Sequence, residues 1–398
     1  SSTSRGLGDV YKRQVNVKAV LPGGILSDAT VAFENEKIVY IGKDKRGGAE
    51  TSDGRGAFLF AGFVDIHCHG GAGYDFMDAS ADEMEKIANF HLSHGSTTIV
   101  PTTMTDSWEH IYSALDGIAE YYKTARDSVL RGAHIEGPWL SPEQCGAQSP
   151  EKMDLPTVDK FCALIERYPF ISRISVAPEL ENGMAVGKIA DEKGVIASVA
   201  HTDADFDTVI EAAGNGYSLM THLYSGMAGV TRKNAFRVAG AVEAGLYDDR
   251  LNVEIIADGR HLPTGLLKLI YKCKGADKIC LITDAMRAAG LRDGEESILG
   301  RKDCGLPVIV EDEVAKTRDR QSFAGSVATT DRLVRVMLST GIDPVNVSKM
   351  ASATPARIMG LTDRGTIEVG KRADFVLMNA QTEVLKVIRG GETVFGKE

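Results

Sequence analysis

The sequence lacks the features that mark several classes of protein. Its six cysteines include no Cys-x-x-Cys pair and no spacing typical of a disulfide framework, which indicates a reducing compartment. No apolar run approaches the roughly 20 residues of a membrane span. The formal net charge of −10 argues against a nucleic-acid surface, although a small phosphorylated ligand needs only one or two local cations. We therefore expect a cytoplasmic protein without nucleic-acid or membrane partners.

The first fourteen residues lack the apolar core of a signal peptide and are rich in Ser, Arg and Gly. We expect residues 1–14 to be a non-native or disordered leader. The segments 17–42 and 365–398 are rich in Val, Ile, Thr and Gly, and they predict strands of one small β-sandwich domain that both chain ends build. The expected boundaries are 15–58 and 362–398 for this β-domain and 59–361 for the region between. The charged stretch 311–320 predicts a hairpin or an exposed loop.

Residues 60–290 repeat a unit in which a short β-branched run ends in polar or Gly/Pro residues and a helical stretch follows. The apolar runs are 63–66, 97–100, 133–135, 174–176, 196–199, 218–220, 253–256 and 279–282. Apolar residues at three- and four-residue spacing predict helices at 82–94, 108–122, 158–168, 206–213 and 263–273, and later at 331–338 and 347–359. Eight such units predict an α/β fold with a (β/α)8 TIM barrel. A doubly wound sheet would give a similar alternation, but the placement of polar residues favours the barrel.

Five of the nine histidines follow the apolar part of a predicted strand: His67, His69, His201, His222 and His261. In a barrel these positions share one rim. His67 and His69 lie on the same face of their strand, because strand side chains alternate. Cys68 then points the other way, as a structural thiol. The remaining helical histidines, His91, His94 and His110, have no acidic or histidine partner at ligand spacing, so we expect them to be packed or solvated.

Two acidic residues occupy equivalent strand ends, Glu136 after 133–135 and Asp284 after 279–282. With four of the histidines they form a credible ligand set for one or two divalent ions. A lone His-x-His is a weak signal, and a polar network without metal is the alternative. Six candidate ligands on five or six separate strand ends are hard to explain by packing, because buried imidazoles and carboxylates need partners. The sequence therefore predicts a metal centre.

The motifs around these positions resemble those of the N-acetylglucosamine-6-phosphate deacetylases in the amidohydrolase superfamily. The resemblance covers nearly everything after about residue 15, and Glu136-Gly137-Pro138 is its most discriminating segment. The matching segments are Gly-Phe-Val-Asp-Ile-His-Cys-His-Gly-Gly at 62–71, Gly-Ser-Thr-Thr at 95–98, His-Ile-Glu-Gly-Pro-Trp at 134–139, Ala-Pro-Glu at 177–179, Ala-His-Thr at 200–202, Thr-His-Leu-Tyr at 221–224, Ile-Ala-Asp-Gly-Arg-His at 256–261, Thr-Asp-Ala at 283–285 and the return into the β-domain at 365–374.

The resemblance implies a role for each matching residue. Glu136, His201 and His222 match the family's principal metal site. His67 and His69 match a pair that some members use for a second ion, with Glu136 as the bridge. Many superfamily relatives bridge their ions with a carboxylated lysine after strand four, but here that strand ends in Pro178-Glu179. Zinc is the favoured ion, and iron, manganese and cobalt suit the same ligands.

The resemblance also implies a reaction, the hydrolysis of the acetamide of N-acetylglucosamine 6-phosphate by metal-bound hydroxide. Asp284 matches the general base and acid. His261 would stabilise the oxyanion together with the metal. The alternative role for His261 is a hydrogen bond to a residue that itself contacts the metal or the substrate. His134 shares a strand face with Glu136 and is expected to support it from behind.

Substrate-binding positions depart from the family's common pattern. Ser225-Gly226 stands where Asn-Ala is usual at the phosphate, and Gln148 stands where a histidine is usual. We expect Ser225, Gly226, Gln148, His261, Arg232 and Arg287 to contact substrate. The family places an arginine near Arg232 and Lys233 that in some members reaches the partner subunit, so the resemblance implies a homodimer. Arg237 is a further candidate for a phosphate contact. For each of these cations, the alternative is a solvated surface position.

Two other functions are weighed against this one. A different amidohydrolase, acting on a cyclic amide or an N-acyl amino acid, would lack the Glu-Gly-Pro segment and carry a bridging lysine, whereas a related N-acylated sugar or its phosphate is an alternative substrate of the favoured function. A catalytically inactive scaffold would have lost ligands or the base, and all six are present. The sequence therefore favours a metal-dependent hydrolase of a small amino-sugar phosphate.

Overall fold

A barrel of eight parallel strands forms the centre of the computed structural model, which describes residues 12–44 and 50–396. The strands are β1 Phe63–Cys68, β2 Ser96–Thr103, β3 Ala133–Glu136, β4 Ile171–Val176, β5 Ile196–Val199, β6 Tyr217–Met220, β7 Asn252–Ile255 and β8 Ile279–Leu281. Main-chain hydrogen bonds close the seam: the Asp284 N–H donates to the His67 carbonyl at 2.9 Å, and the His69 N–H donates to the Ala285 carbonyl at 2.8 Å. The predicted (β/α)8 barrel is confirmed, and the doubly wound alternative is wrong.

A helix follows every barrel strand. The helices are α1 Ala81–Ser93, α2 Trp108–Thr124, α3 Val158–Arg167, α4 Gly183–Glu192, α5 Phe206–Gly214, α6 Ala241–Tyr247, α7 Thr264–Lys274 and α8 Thr330–Ser339, and the chain continues through α9 Pro344–Ser348, a π-helical turn Lys349–Ala353 and α10 Thr354–Ile358. The sequence pattern missed α4 and α6. The first begins after Asn182, which has a left-handed backbone and no side-chain cap, and the second is only one to two turns long. No helix in the described residues has the length and apolarity to cross a membrane.

Strands from both ends of the chain form one eight-stranded sheet beside the barrel. They are Lys12–Leu21, Gly24–Glu34, Lys37–Gly42, Glu50–Asp53, Phe58–Ala61, Phe375–Met378, Val384–Arg389 and Glu392–Gly396. The sheet curls over its own core, because the rings of Phe33 and Phe375, which lie on non-neighbouring strands, approach to 5.6 Å between centroids. This gives the predicted sandwich-like domain.

The first strand begins inside the segment that the sequence assigned to a leader. Lys12, Arg13 and Gln14 pair with Phe33, Ala32 and Val31, so these three residues belong to the sheet. The rest of the predicted leader, residues 1–11, lies outside the described residues, as do residues 45–49 and 397–398 of the predicted β-domain.

Insertions surround the carboxyl ends of the barrel strands. The strands Glu296–Leu299, Leu306–Glu311 and Val314–Thr317 form an antiparallel sheet between β8 and α8, which confirms the hairpin predicted near 311–320. Thr231–Lys233 and Phe236–Val238 form an exposed hairpin after β6, and Gly70–Gly71 pairs with Tyr74–Asp75 after β1. Two short 3-10 helices, Pro142–Gln144 and Pro150–Lys152, follow β3. These loops build the walls of the rim where barrel enzymes place their chemistry.

Candidate metal centre and active site

Six buried side chains meet at the carboxyl-terminal rim of the barrel. His67 lies in β1 and His69 directly follows that strand, while Glu136 ends β3. The others, His201, His222 and Asp284, stand just beyond β5, β6 and β8. The predicted convergence of these six residues is therefore present in the structure.

Glu136 lies between two sets of imidazoles. Its Oε1 is 2.9 Å from His222 Nε2 and 3.6 Å from His201 Nε2. Its Oε2 is 3.2 Å from His69 Nε2. The ligand atoms of His67, His69 and Glu136 all lie within 4.8 Å of one another, and so do those of Glu136, His201 and His222. This arrangement fits a glutamate that bridges two ions, one per set.

The donor chemistry of the set formed by His67, His69 and Glu136 fits a cation. The Nε2 atoms of His67 and His69 face each other at 3.2 Å, and both face Asp284 Oδ1, at 3.4 and 3.2 Å. Two ring nitrogens and two carboxylates aimed at one buried point suit a borderline divalent ion. Burial opposes ionisation of Asp284, but the positive charges of His67 and His69 hold its pKa below the usual range. A carboxylate at this position is therefore ionised at neutral pH.

Hydrogen bonds on the far side of the rings select the nitrogen that faces the centre. His201 Nδ1–H donates to the Gln144 carbonyl at 2.8 Å, and His67 Nδ1 is 3.2 Å from Glu254 Oε2. In both rings Nε2 is then free to bind an ion, which is the usual arrangement behind a metal-ligating histidine. Glu254, in β7, is also ion-paired with Arg173 of β4, and both are buried inside the barrel.

Sequence reasoning missed Arg173 and Glu254, although a signal existed. Each is a charged residue within a short run that has no other charged residue and predicts a buried strand, and such residues are almost never fully buried unless paired. His134 was expected to support Glu136 from behind, and it does not face the candidate ion. Its Nε2 is 2.7 Å from Ser175 Oγ, and its ring packs edge-on against His67 at 4.6 Å.

Three of the six residues adopt a left-handed backbone. His201, His222 and Asp284 have φ values of 39°, 27° and 48°. Such conformations cost of order 1–3 kcal/mol each and persist only where the surroundings hold them. They turn the side chains inward at the point where the strands end, so backbone strain is concentrated at the centre.

A cavity of about 240 Å³ opens onto five of the six residues, all but His67, and is lined by most of the predicted substrate contacts. Ser225, Gly226, Gln148 and His261 line it. At Gly226, which has φ +58°, a Cβ atom would lie 2.5 Å from His201 Nδ1. Any larger residue would therefore push against a candidate ligand. Gly226 has a second role that the sequence did not indicate, close approach to the metal centre.

His261 is oriented by a neighbouring carboxylate. Its Nδ1 is 2.8 Å from Asp258 Oδ2, and Asp258 also accepts the His261 N–H at 2.8 Å. Burial raises the pKa of Asp258, but the contacts with His261 lower it below its usual value. With Nδ1–H committed to Asp258, the ring is held in one orientation, and Nε2 is the nitrogen left for a ligand in the cavity.

Gln148 holds the metal centre as well as lining the cavity. Its Nε2–H donates to Glu136 Oε2 at 2.9 Å, and its Oε1 accepts the Thr105 N–H at 2.9 Å. Both ends of the amide are therefore engaged within the protein. Besides the predicted substrate contact, Gln148 therefore makes a positioning contact on the carboxylate that both sets share.

Among the residues that the structure describes, none of the arginines and lysines predicted near the phosphate lines the cavity. The expectation for Arg287 is wrong: its buried guanidinium donates to Asp78 Oδ1 at 2.7 Å and to the carbonyls of Gly300 and Gly73 at 2.8 and 3.1 Å. Arg232, Lys233 and Arg237 lie on the exposed hairpin after β6 instead.

The helical histidines differ from expectation in their partners. His91 is packed as predicted, with its Nε2 2.9 Å from the Gly70 carbonyl and 3.3 Å from Cys68 Sγ, which confirms the outward direction of that thiol. His94 and His110 were expected to lack acidic partners. His94 lies 3.1 Å from Asp331, a carboxylate that tertiary folding supplies, whereas His110 lies 3.0 Å from Asp106, which is only four residues earlier in the sequence.

Comparison with known proteins places this geometry among related chains. The amidohydrolase family model matches residues 58–394. An N-acetylglucosamine-6-phosphate deacetylase of Lysinibacillus sphaericus is 34% identical over 94% of this chain and 96% of its own length. An N-acetylgalactosamine-6-phosphate deacetylase of Escherichia coli O157:H7 is 32% identical over 83% of this chain and 85% of its own. The structure of the Mycobacterium smegmatis N-acetyl-D-glucosamine-6-phosphate deacetylase in complex with N-acetyl-D-glucosamine-6-phosphate has a TM-score of 0.88, is 29% identical, and covers 97% of this chain and 99% of its own.

Replacing Gln148 by methionine is expected to weaken ion binding by about 10- to 100-fold, because Glu136 loses the amide that orients it. The measurement is the dissociation constant for zinc by competition with a chelator. Gln144→Met is the matched control, since that side chain points outward to Asp203 and only its main chain touches His201. Equal affinities in the two variants would contradict the positioning role.

Ion binding is expected to release protons at neutral pH. Burial lowers the pKa of His67, but the carboxylates of Glu136 and Asp284 outweigh it and raise that pKa to about 9 in the metal-free protein. An ion must displace this proton below pH 9, so affinity should rise with pH and level off above that value. Calorimetric titrations in two buffers of different ionisation enthalpy measure the protons released. Identical heats in both buffers would show that His67 is neutral before binding.

Proposed function

The chain belongs to the amidohydrolase family, and we propose that it hydrolyses the acetamide of N-acetyl-D-glucosamine 6-phosphate to acetate and D-glucosamine 6-phosphate. The observation that carries this proposal is the position of Glu136, shared by two sets of imidazoles, with Asp284 3.2 Å from His69 at the floor of the cavity. Relatives of this activity that align with nearly the whole chain support the choice of substrate.

The proposed metal centre uses Glu136, His201 and His222 for one ion and His67, His69 and Glu136 for a second. The donor set of nitrogen and oxygen atoms suits zinc best among the ions weighed. When bound, a divalent ion supplies Lewis acidity, which makes water more acidic and polarises the amide carbonyl. Gln148 keeps the Glu136 carboxylate in place throughout, and the left-handed backbones of His201 and His222 keep their rings aimed inward.

Asp284 is the proposed proton carrier. Its carboxylate is ionised at neutral pH and lies at the cavity floor, so it can accept a proton from the attacking water. The same group then delivers that proton to the nitrogen of the sugar as the C–N bond breaks, so the amine leaves as a neutral group. The acetyl carbon receives the water oxygen with its remaining proton and departs as acetic acid, which gives acetate when that proton passes to the released amine or to solvent.

His261 is the proposed stabiliser of the oxyanion that forms when water attacks the acetamide carbon. Asp258 holds its Nδ1–H, which leaves Nε2 for the cavity. When Nε2 carries a proton, its hydrogen bond to the carbonyl oxygen strengthens as negative charge develops there, and this favours the transition state over bound substrate.

The phosphate is proposed to bind at Ser225 and Gly226, which line the cavity, through the hydroxyl and main-chain N–H groups. We propose that Arg232 reaches this site from the partner subunit of a homodimer. Its place on an exposed hairpin, which also presents Phe236 at 77% exposure and follows Val230 at 57%, supports an interface there.

A second candidate substrate is the galactosamine epimer. A relative of that activity is 32% identical to this chain, close to the 34% of the glucosamine relative, so overall similarity does not separate the two sugars. Both substrates place the same acetamide over Asp284, and they differ at a hydroxyl remote from the reacting carbon. The metal-free scaffold alternative is less well supported, because all six groups converge.

Acetate release should be fastest from N-acetylglucosamine 6-phosphate. We expect kcat/KM to fall by about 10-fold or more for the same sugar without phosphate, because a hydrogen bond to a charged group contributes ~1.5–3 kcal/mol. The assay compares N-acetylglucosamine 6-phosphate, N-acetylgalactosamine 6-phosphate and unphosphorylated N-acetylglucosamine with zinc-loaded protein. Higher activity on the galactosamine phosphate would change the sugar assignment, and no acetate from any of the three would overturn the function.

Asp284→Asn is expected to lower kcat by about 10²–10⁴-fold, because an amide can neither accept nor deliver the proton. Ion content should stay close to that of the unchanged protein, as elemental analysis would measure. Asp203→Asn, on the exposed rim nearby, serves as the control and should keep its activity. Full turnover by the Asp284 variant would remove this residue from the mechanism.

A further inference from the structure

A second cavity of about 430 Å³ adjoins the first and shares the wall that carries Gln148. It lies between the loops after β2 and β3 and the antiparallel sheet inserted after β8. Three side chains of different chemistry meet at its edge: Asp106, before α2, His110, in the first turn of α2, and Cys304, in a loop of the inserted sheet. None of the three belongs to the proposed catalytic centre.

The distances among these groups are close to those of a tetrahedral ion site. His110 Nδ1 is 3.0 Å from Asp106 Oδ1, Cys304 Sγ is 3.8 Å from Asp106 Oδ2, and Sγ is 4.0 Å from His110 Nδ1. Zinc bonds of about 2.0–2.3 Å to oxygen, nitrogen and sulfur require ligand separations of roughly 3.3–3.6 Å. Shifts of a few tenths of an ångström at each of the three side chains would therefore close the site around an ion.

A cation already occupies part of this space. Lys152 Nζ donates to Asp106 Oδ1 at 2.5 Å and lies 3.7 Å from Cys304 Sγ. Asp106 has a side chain only 7% exposed, so its charge needs a compensating partner. Lys152 is 31% exposed, and its flexible stem can swing toward solvent. The pocket is thus built for positive charge, and its present occupant is exchangeable.

We propose that Asp106, His110 and Cys304 form a peripheral binding site for a thiophilic divalent ion, zinc or cobalt, that competes with the ammonium group of Lys152. A thiolate, an imidazole and a carboxylate are a ligand set that selects such ions over magnesium or calcium. Binding removes the thiol proton and frees Lys152 from Asp106. Lys152 belongs to the same short loop as Gln148, so the site adjoins the loop that supports the catalytic carboxylate.

Cobalt distinguishes this site from the catalytic centre by its ligands. The six catalytic groups include no sulfur, whereas Cys304 would give a thiolate-to-cobalt charge-transfer band in the near ultraviolet. The experiment titrates the full chain with cobalt and records that band together with the number of ions bound. We expect the band in the unchanged protein and its loss, with one ion fewer per chain, in Cys304→Ser.

Two further variants make the result specific. Cys145→Ser is the matched control, because Cys145 lines the same cavity but lies outside the three-residue group, and it should keep the band. Lys152→Met removes the competing ammonium, so the cobalt concentration at half-maximal band intensity should fall several-fold. A band that is missing from the unchanged protein, persists in Cys304→Ser or disappears in Cys145→Ser would overturn the proposal.

Discussion

The site depends on one electrostatic constraint, the burial of the Glu136 carboxylate among nitrogen atoms. Only 1% of this residue is exposed, and a buried carboxylate without a positive partner is strongly unfavourable. Four imidazoles face it, and Gln148 donates an amide hydrogen. Either protons on the rings or divalent ions can supply the compensating charge. When protons supply the compensating charge, His67 carries one of them, and its pKa is accordingly raised to about 9.

Charged residues inside the barrel orient one of the imidazoles that face Glu136. Arg173 and Glu254 form a fully buried ion pair between β4 and β7, and Glu254 also lies 3.2 Å from His67 Nδ1. A buried ion pair is a poor source of stability, because desolvation offsets the attraction between its charges. Its contribution here is orientation: the carboxylate fixes which nitrogen of His67 turns to the centre. Two charged side chains therefore occupy interior positions that apolar side chains could fill, and their effect is to fix the orientation of the His67 ring.

The sequence predicted those parts of the structure that follow from local periodicity. Strand alternation puts His67 and His69 on one face, and the rule that strand ends share a rim brings in His201, His222 and Asp284 from distant segments. The role of Gln148 could not be predicted, since a loop of 3-10 turns decides where its amide points. The predicted substrate contact of Arg287 is wrong for a similar reason. Arg287 lies near the rim in sequence, but its guanidinium donates hydrogen bonds to the carbonyls of Gly73 and Gly300. The pairing of His110 with Cys304 joins residues 194 positions apart, and no pattern in the sequence records it.

The charge of the cavity bears on how a phosphorylated substrate is held. Among the described residues that line it, none is a lysine or an arginine, and the acidic groups Glu136 and Asp284 lie at its floor. A phosphate dianion brought into such a cavity needs positive charge from bound divalent ions or from outside the chain. In the proposed reaction the ions would lie at the acetamide end, where the carbonyl would meet them, so they would not serve the opposite end of the sugar as well. A cation delivered from another subunit would meet this need, and the exposed hairpin with Arg232 is the element whose position and apolar neighbours suit that task.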